Sequence, residues 1–334
     1  MNETQPITHH RLLITHYPEV SIIILNWNGL EDTIECLESL KKITYTNYEV
    51  IVVDNGSQGD DTSVLQEKFG DYIHLIRNDK NYGYTGGNNI GIRYALKDSS
   101  PDYFLILNND TVVDPDFLGQ MIKVAESDAS IGIVGPKVYY YDFPSRIQSA
   151  GARINMKTSQ NSLIGIGQVD TGQYDLQQEV DYVSGCCLLT KKELIQKVGL
   201  FDESYFCYWD ETDYCARARE AGYKIVYAPH AKIWHKKSVI LKPWYKTLHR
   251  GEQADALPYS LYFMTRNNFK FMKKHATKAQ YRSFIFYFFG YRFWFTTGVC
   301  VLYQRDIKQF IAFYRGVRDG LLNSEDGAKF YIKD

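Results

Sequence analysis

Three runs of mostly β-branched and aliphatic residues, VSIIILNWNG at 20–29, YEVIVVDNGS at 48–57 and YFLILNND at 103–110, each stop in asparagine or aspartate. An unbroken apolar run of this length marks a strand buried on both faces, as in parallel sheets covered by crossover helices. Between the first two runs, LEDTIECLESLKK places Ile34, Leu37 and Leu40 at helical spacing, so 20–54 reads as a βαβ unit with a right-handed crossover. A helix through Val64, Leu65 and Phe69, a short strand IHLIRN at 73–78 and a helix around IRYALKD continue the alternation through residue 135. This order predicts a doubly wound, mostly parallel open sheet, and such sheets bind ligands beyond the carboxyl ends of their strands. The polar strand ends are therefore the place to look for chemistry.

Beyond 135 the pattern weakens. Residues 136–180 read as hairpins or loops over the site, and 182–199 as a strand followed by a helix. A helix around 210–220, a strand KIVYAP and a loop carrying His235 follow. The expected division is a loosely held leader over 1–18, an α/β domain over 19–240 and a helical, aromatic and basic extension over 241–334. Hydrophobic residues at 45% and charged residues at 23% exclude a disordered chain. The net charge of −1 hides a division: residues 236–334 hold 18 Lys+Arg against 7 Asp+Glu, net +11, leaving 20 against 32, net −12, in 1–235. Six scattered cysteines without a CxxC pair read as reduced thiols in a cytosol-facing protein, and the N-terminus carries no long apolar export segment.

Several segments carry candidate chemistry. Asp54 ends a strand as the chain turns through Asn55 and Gly56, as a loop cap or as an acceptor for a nucleobase or ribose. NYGYTGGNNIG at 81–91 reads as a glycine-rich loop that permits close backbone approach to a phosphate, although it matches neither GxGxxG nor the P-loop pattern. Asn108, Asn109 and Asp110 supply the oxygen donors that hard divalent cations prefer. Asp210, Glu211 and Asp213 crowd near a helix start beside Tyr205, Phe206, Tyr208 and Trp209, surroundings that raise a carboxyl pKa toward general-base range. Asp213 is also explained by an i,i+4 pair with Arg217. His235 suits a metal, and Lys236 and Lys237 suit a phosphate.

In this order VSIIILNWNG, VIVVDNGS, NYGYTGGNNIG, LILNNDTVVDPDFL, the stretch from GCCLLT to AREAGY, and WHKKS resemble family 2 glycosyltransferases of the GT-A fold, especially a rhamnosyltransferase-like branch. The resemblance covers roughly 20–240 and implies an inverting transfer from a nucleotide-diphosphate sugar, such as dTDP-rhamnose or a UDP-sugar, to a hydroxyl of a glycan or lipid-linked acceptor. It implies that Asn26, Trp27 and Asp54 hold the donor nucleoside, with Gly86, Gly87, Asn88 and Asn109 near the donor. Asp110 and His235 would hold Mg²⁺ or Mn²⁺. The family's Glu-Asp pair stands here as Asp210-Glu211, so the column match gives Glu211 as the base and Asp210 as the close alternative. A nucleotidyltransferase and an inactive sugar-nucleotide-binding scaffold are the rival readings, the latter because of Asn108 in the place of an acid and the altered Asp210-Glu211 pair.

The segment FIFYFFGYRFWFTTGVCVLY at 284–303 is long enough to cross a bilayer core, yet Arg292 lies near its middle. Helices lying in the membrane interface, attracted by net +11 to anionic lipid, are the preferred reading. A buried helical subdomain or homodimer contact is the alternative. No nucleic-acid-binding motif accompanies the charge. The expected location is the cytoplasmic face of the cell membrane, as a peripheral protein.

Overall fold

A computed structural model describes residues 17–236 and 257–332. Most of the expected leader, Lys237 and the segment up to 256 lie outside the described residues. The elements run β1 Val20–Asn26, α1 Leu30–Leu40, β2 Tyr48–Asp54, α2 Asp61–Phe69, β3 His74–Arg77, α3 Gly83–Asp98, β4 Tyr103–Asn108, β5 Thr111–Val113, α4 Phe117–Ala125, β6 Ile131–Tyr140 and β7 Phe143–Ser149. They continue with β8 Ala152–Asn155, β9 Gln160–Leu163, β10 Gln178–Glu179, β11 Cys187–Lys191, α5 Lys192–Val198, α6 Asp210–Glu220 and β12 Lys224–His235.

Ten strands form one sheet in the order β10-β12-β6-β11-β4-β1-β2-β3, with β5 on β12 and β7 on β6, while β8 and β9 pair apart. β1 runs parallel to both β2 and β4, so the chain reverses direction across the sheet at β1, where such folds leave a crevice. Side chains alternate along β1: Ile22 and Ile24 join the core under α1, α2 and α4, whereas Ile23 joins the core under α3, α5 and α6. The doubly wound expectation therefore holds, with β11 running antiparallel between β4 and β6.

Residues 136–180, expected as hairpins or loops, hold the antiparallel β6–β7 and β8–β9 pairs, while the strand that opens this stretch is longer than its pattern suggested. β6 is a ten-residue strand buried at every position. Gly132 and Gly135 serve close packing, because a Cβ there would lie 2.8 Å from the Tyr223 side chain and 2.4 Å from that of Val183. Lys137 is fully buried on β6, its ammonium paired with Asp170 at 2.9 Å and Asp175 at 2.6 Å. β12 is longer than KIVYAP and carries His235 within the strand, opposite Thr111 of β5 and Tyr140 of β6. Its register slips between Ala228 and Lys232 opposite Pro136 and Lys137, where proline has no N–H to give to the ladder.

The C-terminal helices are α7 Leu257–His275, α8 Lys278–Tyr287, α9 Phe293–Gly298 and α10 Ile307–Leu322, with π-helical turns at Phe288–Arg292 and Val299–Tyr303. Asp306 caps α10 by accepting from the Lys308 and Gln309 amides. Gly316 and Gly320 bring α10 against α7; a Cβ on either would lie 2.8 Å from Tyr262 O or Phe269 Cβ. Phe269, Met272, Phe284, Phe288 and Phe313 form a core that also takes in Tyr205 and Trp209 from the segment before α6.

Candidate active site

The ends of β1, β2 and β4 are tied together by short polar side chains. Asn26 Nδ2 donates to Asp54 Oδ1 at 2.8 Å and to Asp61 Oδ2 at 2.9 Å, while its Oδ1 accepts from Thr33 Oγ1 at 2.9 Å. Thr33 Oγ1 in turn accepts from Asn109 Nδ2 at 2.9 Å. Asn26 and Asn109 are thus engaged inside the protein, and Asn26 fixes the orientation of Asp54. Trp27 is half exposed beside them.

The glycine-rich stretch is not a loop: α3 begins at Gly83, so Gly86, Gly87 and Asn88 lie in its first two turns. A Cβ on Gly87 would lie 2.3 Å from Leu25 Cδ1, and one on Gly91 would lie 2.6 Å from Ile23 Cγ2. These glycines let the helix lie directly on β1, so their first physical reason is packing. Gly83, at φ +75°, sits where a Cβ would strike Phe206. Asn55, read from the sequence only as a turn residue after Asp54, organises this entry; its carboxamide donates to Asn81 Oδ1 and Gly83 O and accepts from Asn78 Nδ2 and the Tyr82 amide.

At the end of β4, Asp110 Oδ1 lies 3.1 Å from His235 Nε2, and both side chains are largely buried. The other ring nitrogen, Nδ1, is 3.2 Å from Gln148 Oε1. Two ligands with arms of about 2.1 Å on adjacent corners of an octahedron stand about 3 Å apart, so this pair fits a small divalent cation. No group of three His, Cys, Asp or Glu that could hold a metal occurs among the described residues, so the chain would contribute two donors and leave other positions for phosphate and water. Lys236 is not left for phosphate: it pairs with Asp32 at 3.0 Å and with Glu35.

The acidic cluster separates into two roles. Asp213 is structural, held by Arg217 Nε, Lys274 Nζ and His275 Nε2, each at 2.8 Å. Asp210 and Glu211 have no such cations among the described residues. Burial raises the Asp210 carboxyl well above its ordinary range, reinforced by the charge of Glu211, and burial raises Glu211 as well. The turn at 184–186 links them to the strand ends: Cys186 O accepts from the Asn108 amide at 2.9 Å, and a Cβ on Gly185 would lie 3.6 Å from the Glu211 side chain. Burial pushes the Cys186 thiol up to about 12 against the Ser184 hydroxyl, and both Asp110 and Glu211 add to that rise. One thiol thus feels the carboxylates of both motifs. Asn88 Oδ1, Asn108 Oδ1 and Asp210 Oδ2 are buried without a hydrogen-bond partner among the described residues, as expected where a polar ligand completes the set.

The segment leading into Asp210 is strained. Phe206, Tyr208 and Trp209 have φ of 65°, 63° and 69°, a region that residues with a Cβ avoid. Helix α7 holds it: Asn267 Nδ2 donates to the carbonyls of Tyr205, Cys207 and Tyr208 at 2.9, 2.7 and 2.9 Å, and Arg266 Nη2 to those of Ser204 and Tyr205. Nothing local in the sequence marked Asn267. A cavity of about 1040 Å³ opens between the strand ends, at Trp27, Gly56 and Asn81, and α7 and α10, with Tyr208 between.

The model of the family described as Glycosyl transferase family 2 matches residues 21–199. The low-salt glycan biosynthesis hexosyltransferase Agl10 of Haloferax volcanii is 28% identical over 63% of this chain, which spans 65% of that relative's length. The N-acetylglucosaminyl-diphospho-decaprenol L-rhamnosyltransferase of Mycobacterium tuberculosis is 24% identical, covering 60% of this chain and 71% of its own. Among solved structures, the mannosyltransferase PcManGT of Pyrobaculum calidifontis, in complex with GDP-Man and Mn²⁺, superposes with TM-score 0.54 at 15% identity over 92% of this chain and 88% of its own. That likeness places the sheet and its helices in the GT-A fold.

Proposed function

The chain belongs to glycosyl transferase family 2, and from that premise we propose that it is an inverting glycosyltransferase. It would move a sugar from a nucleotide-diphosphate donor, a dTDP-rhamnose or UDP-sugar, to a hydroxyl of a glycan or lipid-linked acceptor. The observation that carries the reading is the meeting of two carboxylates of raised pKa, the buried Asp210 and the partly exposed Glu211, with the Asp110–His235 pair across the 184–186 turn.

In this reading Asp54, oriented by Asn26, accepts from the nucleoside, with Trp27 beside it. Glu211, or Asp210 beside it, takes the proton of the acceptor hydroxyl while that oxygen attacks the anomeric carbon. The bond from that carbon to the diphosphate breaks on the opposite side, so the configuration inverts and a nucleoside diphosphate leaves. When bound at Asp110 and His235, Mg²⁺ or Mn²⁺ supplies positive charge toward the diphosphate oxygens. Burial serves the base, because a carboxyl of raised pKa is a stronger proton acceptor once ionised.

The acceptor is proposed to be met at the cytoplasmic face of a membrane. The helix Lys278–Leu302 spans 25 residues and contains a window long and apolar enough to cross a membrane by length and composition, little of which is buried. Phe286 is 81% and Trp294 65% exposed, which supports an interfacial seat better than the buried subdomain. The acceptor in the mycobacterial relative's name, an N-acetylglucosaminyl-diphospho-decaprenol, is in keeping with it.

The test is a panel of sugar nucleotides with Mn²⁺, scored by thermal stabilisation and then by turnover, with the anomeric configuration of the product read by NMR. Release of a nucleoside diphosphate and an inverted product is expected. Release of pyrophosphate instead would favour a nucleotidyltransferase.

A further inference from the structure

The large cavity has walls of different character. On its donor side stand Trp27, Gly56 and Asn81; on the other, α10 presents Lys308, Ile311 and Arg315. Spacings of three and four residues put these three side chains on one helical face. The Arg315 guanidinium lies 3.9 Å above the Phe330 ring, which also lines the cavity. Stacking of this kind uses the face of the guanidinium and leaves its N–H edge for an anion. Lys308 and Arg315 form no ion pair among the described residues, whereas Lys274 and Arg318 of the same helical region are paired with Asp213 and Asp319.

Helix α10 also carries more apolar surface than its packing uses. Ala312, Phe313 and Gly316 already face the interior, yet Ile307 is 63% and Tyr314 55% exposed beside Ile311. Two cations unpaired among the described residues, with an apolar residue between them and an open apolar strip beside them, match an anionic head joined to a long apolar tail. The donor diphosphate is not that occupant, because Asp110 and His235 belong to the ends of β4 and β12 and line no part of this cavity.

Resting on the glycosyltransferase reading above, we infer that this cavity seats the acceptor, a lipid that carries its sugar on a diphosphate. Lys308 and Arg315 hold the diphosphate, Ile311 and the outer side of α10 take the tail, and the head sugar passes Tyr208 toward the carboxylates at 210 and 211.

The test uses the full chain and three probes, farnesyl diphosphate, farnesol and inorganic pyrophosphate, titrated by calorimetry with EDTA present so that no cation holds a probe at Asp110 and His235. Farnesyl diphosphate should bind roughly tenfold or more tighter than either part alone. The double variant Lys308→Ala, Arg315→Ala should lose roughly tenfold in that affinity while binding UDP or dTDP with Mn²⁺ within about twofold of wild type. Ile311→Glu, on an exposed position, should weaken farnesyl diphosphate without changing pyrophosphate. Equal binding of farnesol and farnesyl diphosphate would overturn the inference, as would a parallel loss of nucleotide affinity in the double variant, which would give these cations to the donor. Failure of the glycosyltransferase reading is a separate result: no nucleoside diphosphate would bind the wild-type protein.

Discussion

Removing the Asn267 carboxamide should uncouple catalysis from donor binding. Its two N–H bonds serve three carbonyls, and Arg266 also reaches that of Tyr205, so Asn267→Ala strips the side-chain donor from Cys207 and Tyr208. An orphaned carbonyl costs about 1–3 kcal/mol when fully buried, and because the Cys207 and Tyr208 bonds are part-buried about 2–6 kcal/mol is the upper bound for the two. Three left-handed residues, Phe206, Tyr208 and Trp209, store about 1–2 kcal/mol each, together about 3–6 kcal/mol. The two sums are alike, so the turn should relax once the amide is gone. A carboxylate displaced by about 1 Å costs on the order of a hundredfold in rate. We expect kcat to fall about that much, with nucleoside diphosphate affinity in Mn²⁺ unchanged within about twofold, since Asp54 and Asp110 sit on other elements. Asn267→Asp keeps the shape but turns a donor into an acceptor, and should be no better than alanine. Steady-state kinetics beside calorimetry separates the two effects. An Asn267→Asp protein with near wild-type kcat would show that these contacts do not hold the turn, and the reasoning would be wrong.

Glu211→Gln should lower turnover by about 10²–10⁴-fold with nucleotide binding intact, and a larger loss in Asp210→Asn under the same assay would move the base to Asp210. Asp210 also makes a stability prediction: its folded-state pKa lies above the unfolded value, so its contribution is full below about pH 4 and is lost as pH rises through the folded pKa. Asp210→Asn should therefore melt higher than wild type at pH 7 and converge with it near pH 4; a wild type that melts higher at pH 7 would count against a buried charge. Gly87→Ala, whose Cβ would lie 2.3 Å from Leu25, should destabilise by about 1–3 kcal/mol in denaturant titration, and an unchanged midpoint would mean that α3 can shift off β1.

What could be read from the sequence was whatever rests on local pattern. The runs at 20–26, 48–54 and 103–108 are buried on both faces, so their apolar character is continuous and their polar ends stand out. The Asp213–Arg217 pair is likewise local. β6 was hidden because its reasons are distant: Gly132 and Gly135 make room for Tyr223 and Val183, and Lys137 is tolerated only through Asp170 and Asp175. The glycine-rich stretch suggested a loop because helix propensity is overridden there by close contact, of Gly87 and Gly91 with β1 and of Gly86 with Tyr82. Asn267 acts on backbone carbonyls some 60 residues away, a relation that leaves no periodic trace.

Strand β12 has a bearing on how this site can change. Its irregular step near Pro136 is followed by an unbroken ladder that delivers His235 opposite Thr111 and Tyr140, so the imidazole's direction is set by hydrogen-bond phase. Deleting a single residue between 232 and 235 would turn that side chain to the opposite face of the sheet. Length changes are therefore forbidden on the strand side of His235, and the anchoring continues one residue further, where the Lys236 amide donates to Asp110 O at 2.9 Å.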